Sequence, residues 1–317
     1  MESGRPPSST SLGSLSNELI LLILSNFCLH CREGPRQMPH AYFPATRQQH
    51  DEPSWYASDI SALHSMSLVS RRFSPLAQEV LYHEFIPGYG DSWYSHGYEL
   101  YGRLESFLRT VAQSPDRGAL VKRVYVNINL LNSIAEAQAE AVLKDAAQVR
   151  GIQLSDFVGP FRDGLNAFSR DQYRASGDEL LGMLLAYLPH LETLSLSGGV
   201  PLWGVPAPAL RAIGISTLRI ETLDIYCCDE GLGCRLDGIL ELASSTITNL
   251  YINFCDSVGL RSLARPFPNL RNLCIANSKL SGSDLASFLS RRVGLVTFSY
   301  ESSRSWIKQT VARYQYN

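Results

Sequence analysis

The chain has no surplus of either charge. Across 317 residues, 28 Lys and Arg stand against 30 Asp and Glu, a net charge of −2 at pH 7. Neither a broad nucleic-acid footprint nor binding to an acidic membrane is therefore expected. Long apolar runs are also missing. The longest near the N-terminus is Leu19–Leu24, too short for a membrane span or a secretory core, and no targeting segment is visible. The seven cysteines are odd in number and scattered. They outline no disulfide framework, which suits a reducing cytoplasmic or nuclear setting. Histidine is scarce in the second half: six of seven lie before residue 100, leaving only His190 beside Pro189. No Gly-x-Ser-x-Gly elbow, phosphate loop or dinucleotide fingerprint occurs. A nucleophile there would find almost no imidazole base, so no catalytic residue and no cofactor are expected.

What is present begins with aliphatic helices. Residues 1–11 are rich in Ser, Pro and Gly and read as disordered. Leu19, Leu22, Ile23 and Phe27 then fall on one helical stripe. Ser16 can cap that helix, and Glu18 suits its first turn. Ile60, Leu63 and Met66 mark a second, short helix. Leu68, Val69 and Phe73 lead to a third, with Leu76, Ala77, Val80 and Leu81 behind them and Pro75 in its first turn. Three short helices cannot bury this much aliphatic surface among themselves. The surplus packs either on the following domain or in a partner's groove, and periodicity does not choose.

Leu15-Ser16-Asn17-Glu18-Leu19 and Leu68-Val69-Ser70-Arg71-Arg72-Phe73, with the tail Leu76–Tyr82, resemble the F-box, in its fungal branch. Ser16 stands where that family usually has proline. The resemblance implies a three-helix unit over residues 12–86, here with an inserted loop at 28–58. It implies docking of a Skp-type adaptor, and through it a cullin–RING scaffold, by Leu15, Leu19, Ile23, Leu63, Leu68, Val69 and Phe73. The runner-up reading is a binding scaffold whose F-box has decayed, for which Ser16 and the 31-residue loop speak.

The second half repeats. The pattern apolar-x-x-apolar-x-apolar occurs at Leu191-Leu194-Leu196, Ile220-Leu223-Ile225, Ile247-Leu250-Ile252, Leu270-Leu273-Ile275 and Val293-Val296-Phe298, at intervals of 29, 27, 23 and 23 residues. An earlier copy, Val121-Val124-Val126, lies 70 residues upstream of the first of these. Such intervals and spacing are those of the leucine-rich repeat. The predicted architecture is an α/β solenoid with a parallel sheet over residues 119–317, preceded by a linking and capping helix at 98–115. Cys228, Cys255 and Ser278 share one position of the repeat. In cysteine-containing repeats, which commonly accompany F-boxes, a small polar or thiol side chain there ties the turn to backbone groups. Capping boxes at Ser281–Asp284, Ser133–Glu136 and Ser176–Glu179 predict helices in the returns, and Leu236–Ala243 and Val258–Ala264 read as shorter ones. The 70-residue interval reads as a degenerate repeat in preference to a helical insertion.

Cys28-Leu-His-Cys31, followed by His40 and His50, has the cysteine spacing of a zinc site, but the second pair is too loose. Cys227, Cys228 and Cys234 are accounted for by strand alternation and repeat register. No metal is expected. The sheet face opposite the apolar positions is the candidate for binding a protein target, through Tyr125, Asp224, Tyr226, Asn249, Tyr251 and Asn272. Together these readings predict a non-catalytic substrate-recognition subunit of a Skp–cullin–F-box ubiquitin ligase.

Overall fold

Helix α1 (Asn17–Ser25) carries apolar residues around most of its circumference, and only one stripe of them can be buried. In the computed structural model that stripe is Ile20 and Leu24, each 2% exposed. The structure describes residues 12–33, 55–88, 100–127, 130–131, 133–134, 136–163, 177–197, 204–228, 237–256, 260, 263, 265–292 and 294–302. The chain divides into two units, Met1–Glu84 with Tyr89–Gly97, and Phe85–Gly88 with Tyr98–Asn317.

In the first unit Ile20 and Leu24 pack with Cys28, Leu63, Phe73, Leu76, Ala77 and Val80. Apart from Cys28, which follows α1, these come from α1, α3 (Trp55–Val69) and α4 (Phe73–Leu81). Pro75 sits in the first turn of α4, where its missing N–H is harmless. Ser16 takes the N-cap position of α1 without a side-chain capping bond to the helix backbone. A short helix, α2 (Leu29–Glu33), occupies the start of the stretch read as loop, and the first turn of α3 occupies its end. Residues 34–54 lie outside the described residues. The Arg72 guanidinium donates to Asn17 Oδ1 at 3.1 Å and to the carbonyls of Gly13 and Leu15. One cation thus draws the entry of α1 to the α3–α4 junction.

The second unit is α/β. Its sheet has seven strands in chain order: β1 (Glu84–Phe85), β2 (Arg123–Asn127), β3 (Thr193–Ser197), β4 (Thr222–Cys228), β5 (Asn249–Cys255), β6 (Asn272–Ser278) and β7 (Thr297–Ser302). From β2 to β7 every pairing is parallel. At each of five successive strand entries, one carbonyl accepts two amides from the next unit. Lys122 O binds the N–H groups of Glu192 and Thr193, and Glu192, Glu221, Thr248 and Arg271 repeat the arrangement with the strand that follows. Thr193, Thr222, Asn249, Asn272 and Thr297 therefore fall in one row. Leu194, Leu223, Leu250 and Leu273 fall in the next, each at most 2% exposed.

Helices return the chain between strands: α5 (Arg103–Gln113) and α6 (Pro115–Leu120) before β2, α10 (Ala207–Ala212) before β4, α11 (Asp237–Ala243) before β5 and α12 (Gly282–Leu289) before β7. Helix α5 buries Leu104, Leu108 and Val111. Ser281 caps α12 as its sequence predicts, accepting from the Asp284 N–H at 3.1 Å. Gly238 in α11 is required by contact: a Cβ there would lie 1.9 Å from the Val205 carbonyl oxygen.

Two readings need correction. The 70-residue interval is a helical insertion and not a degenerate repeat, because β2 pairs directly with β3. It holds α7 (Glu136–Val149), α8 (Leu154–Asp163) and α9 (Gly177–Ala186). Helix α7 ends at Gly151 (φ +66°), where Gly151 N–H reaches Gln148 O and Ile152 N–H reaches Ala147 O, a Schellman closure. The last repeat is also out of phase by two residues. Leu273 pairs with Phe298 and Ile275 with Tyr300, so the final copy is Leu295-Phe298-Tyr300 and Val296 is 72% exposed.

At the turn after the strands, Ser278 is fully buried. Its Oγ accepts from the Cys255 N–H at 3.0 Å and donates to Ala276 O at 2.8 Å, while Cys255 Sγ donates to Asp256 O. Ser278→Ala strands both backbone groups and is expected to cost about 1–3 kcal/mol in urea unfolding. Ser278→Cys, which restores the group found at Cys255, is expected to cost less.

Candidate functional site

Nine large hydrophobic side chains are exposed among the described residues, and five of them lie in the first unit. Leu19 (48%), Leu22 and Ile23 stand on the outer stripe of α1, and Leu68 (73%) and Val69 end α3. The Arg72 bonds bring the end of α3 to the start of α1, two residues before Leu19 in sequence. The Leu19/Leu22/Ile23 stripe read from periodicity is thus real but faces outward. Of the seven residues assigned to adaptor docking, Leu19, Ile23, Leu68 and Val69 are exposed. Leu15 is half-buried against the core. Leu63 and Phe73 are core residues, 0% and 8% exposed. Of the stripe residues left out of the docking set, Leu22 is exposed and Phe27 is half-buried against the core.

The sheet face opposite the apolar rows is less open than its sequence suggests. Tyr125 and Ser195 are 3% and 1% exposed, so Tyr125 is not a surface residue. Register aligns Tyr125, Ser195, Asp224, Tyr251, Cys274 and Ser299 in a row. Only from Asp224 onward is that row half-buried or exposed. Tyr226 holds the next position, in register with Ser197 and Asn253. Asn249 and Asn272 serve one another. Asn249 Nδ2 donates to Thr222 Oγ1 at 3.0 Å, Asn272 Nδ2 to Asn249 Oδ1 at 2.6 Å, and Thr297 Oγ1 to Asn272 Oδ1 at 2.6 Å. This amide ladder crosses four strands and engages the Asn249 and Asn272 amides within the sheet. The accessible part of the row is Asp224, Tyr251, Cys274 and Ser299.

Asp224 is chemically distinct within that row. Desolvation pushes its carboxyl up to about 7, against a smaller opposing pull from Arg123. Burial also raises the Tyr251 and Cys274 groups beside it.

A third assembly lies in the first unit. Cys28, His30, Cys31 and His83 each offer a ligand atom within 4.8 Å of the others. His83 Nδ1 is 3.2 Å from Cys31 Sγ and 4.0 Å from Cys28 Sγ, and His30 Nδ1 is 3.7 Å from Cys31 Sγ. The Cys28 thiol lowers the pKa of Cys31 by hydrogen bonding, with the His30 and His83 rings behind it, and the same bond raises Cys28. His40 and His50, the loosely spaced second pair in the sequence, lie outside the described residues. His30 and His83 converge on the cysteines. His83 is 52 residues from Cys31, and no local spacing could have marked it.

No protein-family model matches the chain, and no curated protein matches it.

Asp224 gives a pH prediction. Its folded pKa, about 7, lies above the ordinary carboxylate value of 3.8, so the folded state holds the proton more tightly. The resulting cost to stability is absent below about pH 4, grows as pH rises toward 7, and is complete above it. Asp224→Asn is therefore expected to stabilise the protein at pH 8 relative to pH 4, by at most about 4 kcal/mol before allowance for partial solvent access. Chemical denaturation of both proteins at the two pH values measures it.

Proposed function

We propose that the first unit is an F-box that docks a Skp-type adaptor, and that the second is a leucine-rich-repeat-like solenoid presenting a protein target to the cullin–RING ligase. The observation carrying this reading is the exposed set Leu19, Leu22, Ile23, Leu68 and Val69, on a unit whose core is already filled by other residues. A folded domain gains nothing from leaving five large aliphatic side chains in water unless another surface covers them. The resemblance of Leu15–Leu19 and Leu68–Phe73 to the F-box supplies the partner. In the solenoid, the half-buried Tyr251 beside Asp224 and Cys274 offers a rigid aromatic anchor for the target. No side-chain chemistry is assigned to this chain; the rate gain is one of proximity, with the target held near the charged partner enzyme.

The test is co-purification of residues 1–317 with a Skp-type adaptor. Leu19→Asp combined with Leu68→Asp is expected to abolish capture, a loss of at least about 100-fold, with unchanged circular dichroism because neither residue is in the core. Capture that survives in the folded double mutant overturns the docking assignment. Failure of the unmutated, folded chain to bind favours the scaffold reading.

A further inference from the structure

We propose that Cys28, His30, Cys31 and His83 form a structural zinc site that clips the α1–α2 junction to the segment following α4. The inference does not rest on the docking reading, and all four ligands belong to the first unit.

The donor set is two thiolates and two imidazoles, the borderline-soft combination that a tetrahedral Zn2+ takes in closed structural sites. With Zn–S of about 2.3 Å and Zn–N of about 2.0 Å, the edges of such a tetrahedron are roughly 3.3–3.8 Å. Three of the six separations, 3.2, 3.7 and 4.0 Å, fall within a few tenths of an ångström of that range, and all six are within 4.8 Å. The two imidazoles meet edge to face, centroids 5.2 Å apart at 74°, as rings approaching one point from different directions do. Two thiolates, two neutral imidazoles and Zn2+ sum to zero charge. That suits a site whose deepest ligand, Cys28, is 0% exposed and packs in the apolar core.

The supporting contacts fit the same purpose. The carboxylate of Glu84, 6% exposed, accepts from the Leu29 and His30 N–H groups at 3.1 Å each. It caps α2 at the turn that carries Cys31, and being next to His83 in sequence, it sets that ligand opposite the cysteines. Within the ligand turn, the Arg32 N–H donates to Cys28 O at 3.0 Å.

A redox dithiol is the competing chemistry for Cys-x-x-Cys at a helix start. It does not fit here. Only the half-buried Cys31 could serve as the attacking thiol, and a disulfide has no use for two convergent imidazoles, which a metal takes up as ligands.

The full chain, purified in reducing buffer without chelator, is expected to carry one zinc per molecule by plasma mass spectrometry. Cys31→Ser and His83→Ala are each expected to weaken zinc binding at least about 100-fold, Glu84→Ala about 10- to 100-fold, and Cys274→Ser not at all. Stripped of metal, the wild-type chain is expected to take up one Co2+ with the visible bands of a tetrahedral, thiolate-ligated ion, and to release it to zinc. This titration needs no variant and decides the matter even where a substitution prevents folding. A folded, reduced chain that takes up neither ion overturns the proposal. So do an octahedral cobalt spectrum, zinc affinity unchanged in Cys31→Ser, and a Cys28–Cys31 disulfide in the reduced preparation.

Discussion

Five backbone carbonyls, those of Lys122, Glu192, Glu221, Thr248 and Arg271, govern the second unit by each receiving two amides from the strand that follows. The contact is made by main chain alone. It therefore constrains neither the side chain at that position nor the length of the return that brings the next strand back. Returns that differ as much as the 70-residue helical insertion and the 23-residue step from β5 to β6 deliver their strands in the same phase. Once the phase is set, the leucines of successive strands stack on one side and the threonine–asparagine row on the other. Both the apolar core and the amide ladder across β4 to β7 follow from it.

The first unit has a different economy. Among the described residues its core cluster is eight residues, small for a domain that must stand in water. Charged side chains aimed at backbone supplement it. Arg72 gathers the segment before α1, and Glu84 closes the N-terminus of α2. Each is a charge-assisted bond between segments more than fifty residues apart, stronger than a neutral one and more selective in direction. The Cys–His cluster lies beside the second of these ties.

The strands were legible because a period of two, at a fixed offset from a preceding apolar residue, survives in a single sequence. The same pattern misphased the last repeat. Val293-Val296-Phe298 and Leu295-Phe298-Tyr300 both satisfy it, and only pairing with β6 distinguishes them. Helix α1 was legible as a helix, but its buried stripe was not: with apolar residues on nearly every side, periodicity marked Leu19, Leu22 and Ile23 while tertiary contact buried Ile20 and Leu24. The docking set mixed surface with core for a related reason, since Leu63 and Phe73 carry the same chemistry as Leu68 and Val69. Tyr125 illustrates what alternation cannot give. It places a residue on a face without saying whether that face is covered.

The unequal spacing of the strands has a kinetic consequence. Pairing β5 with β6 closes a short stretch of chain, whereas pairing β2 with β3 must first bring together segments 70 residues apart. The difference in closure entropy is only about 1 kcal/mol, because it grows with the logarithm of length. Contacts distant in sequence nevertheless form late, and stacked repeats nucleate where their neighbours are most local. Folding of the sheet is thereby biased to begin in the β4–β6 segment and to spread outward, with α7, α8 and α9 consolidating as β2 joins. The edge that carries the amide ladder would then be the oldest part of the sheet in each molecule's history.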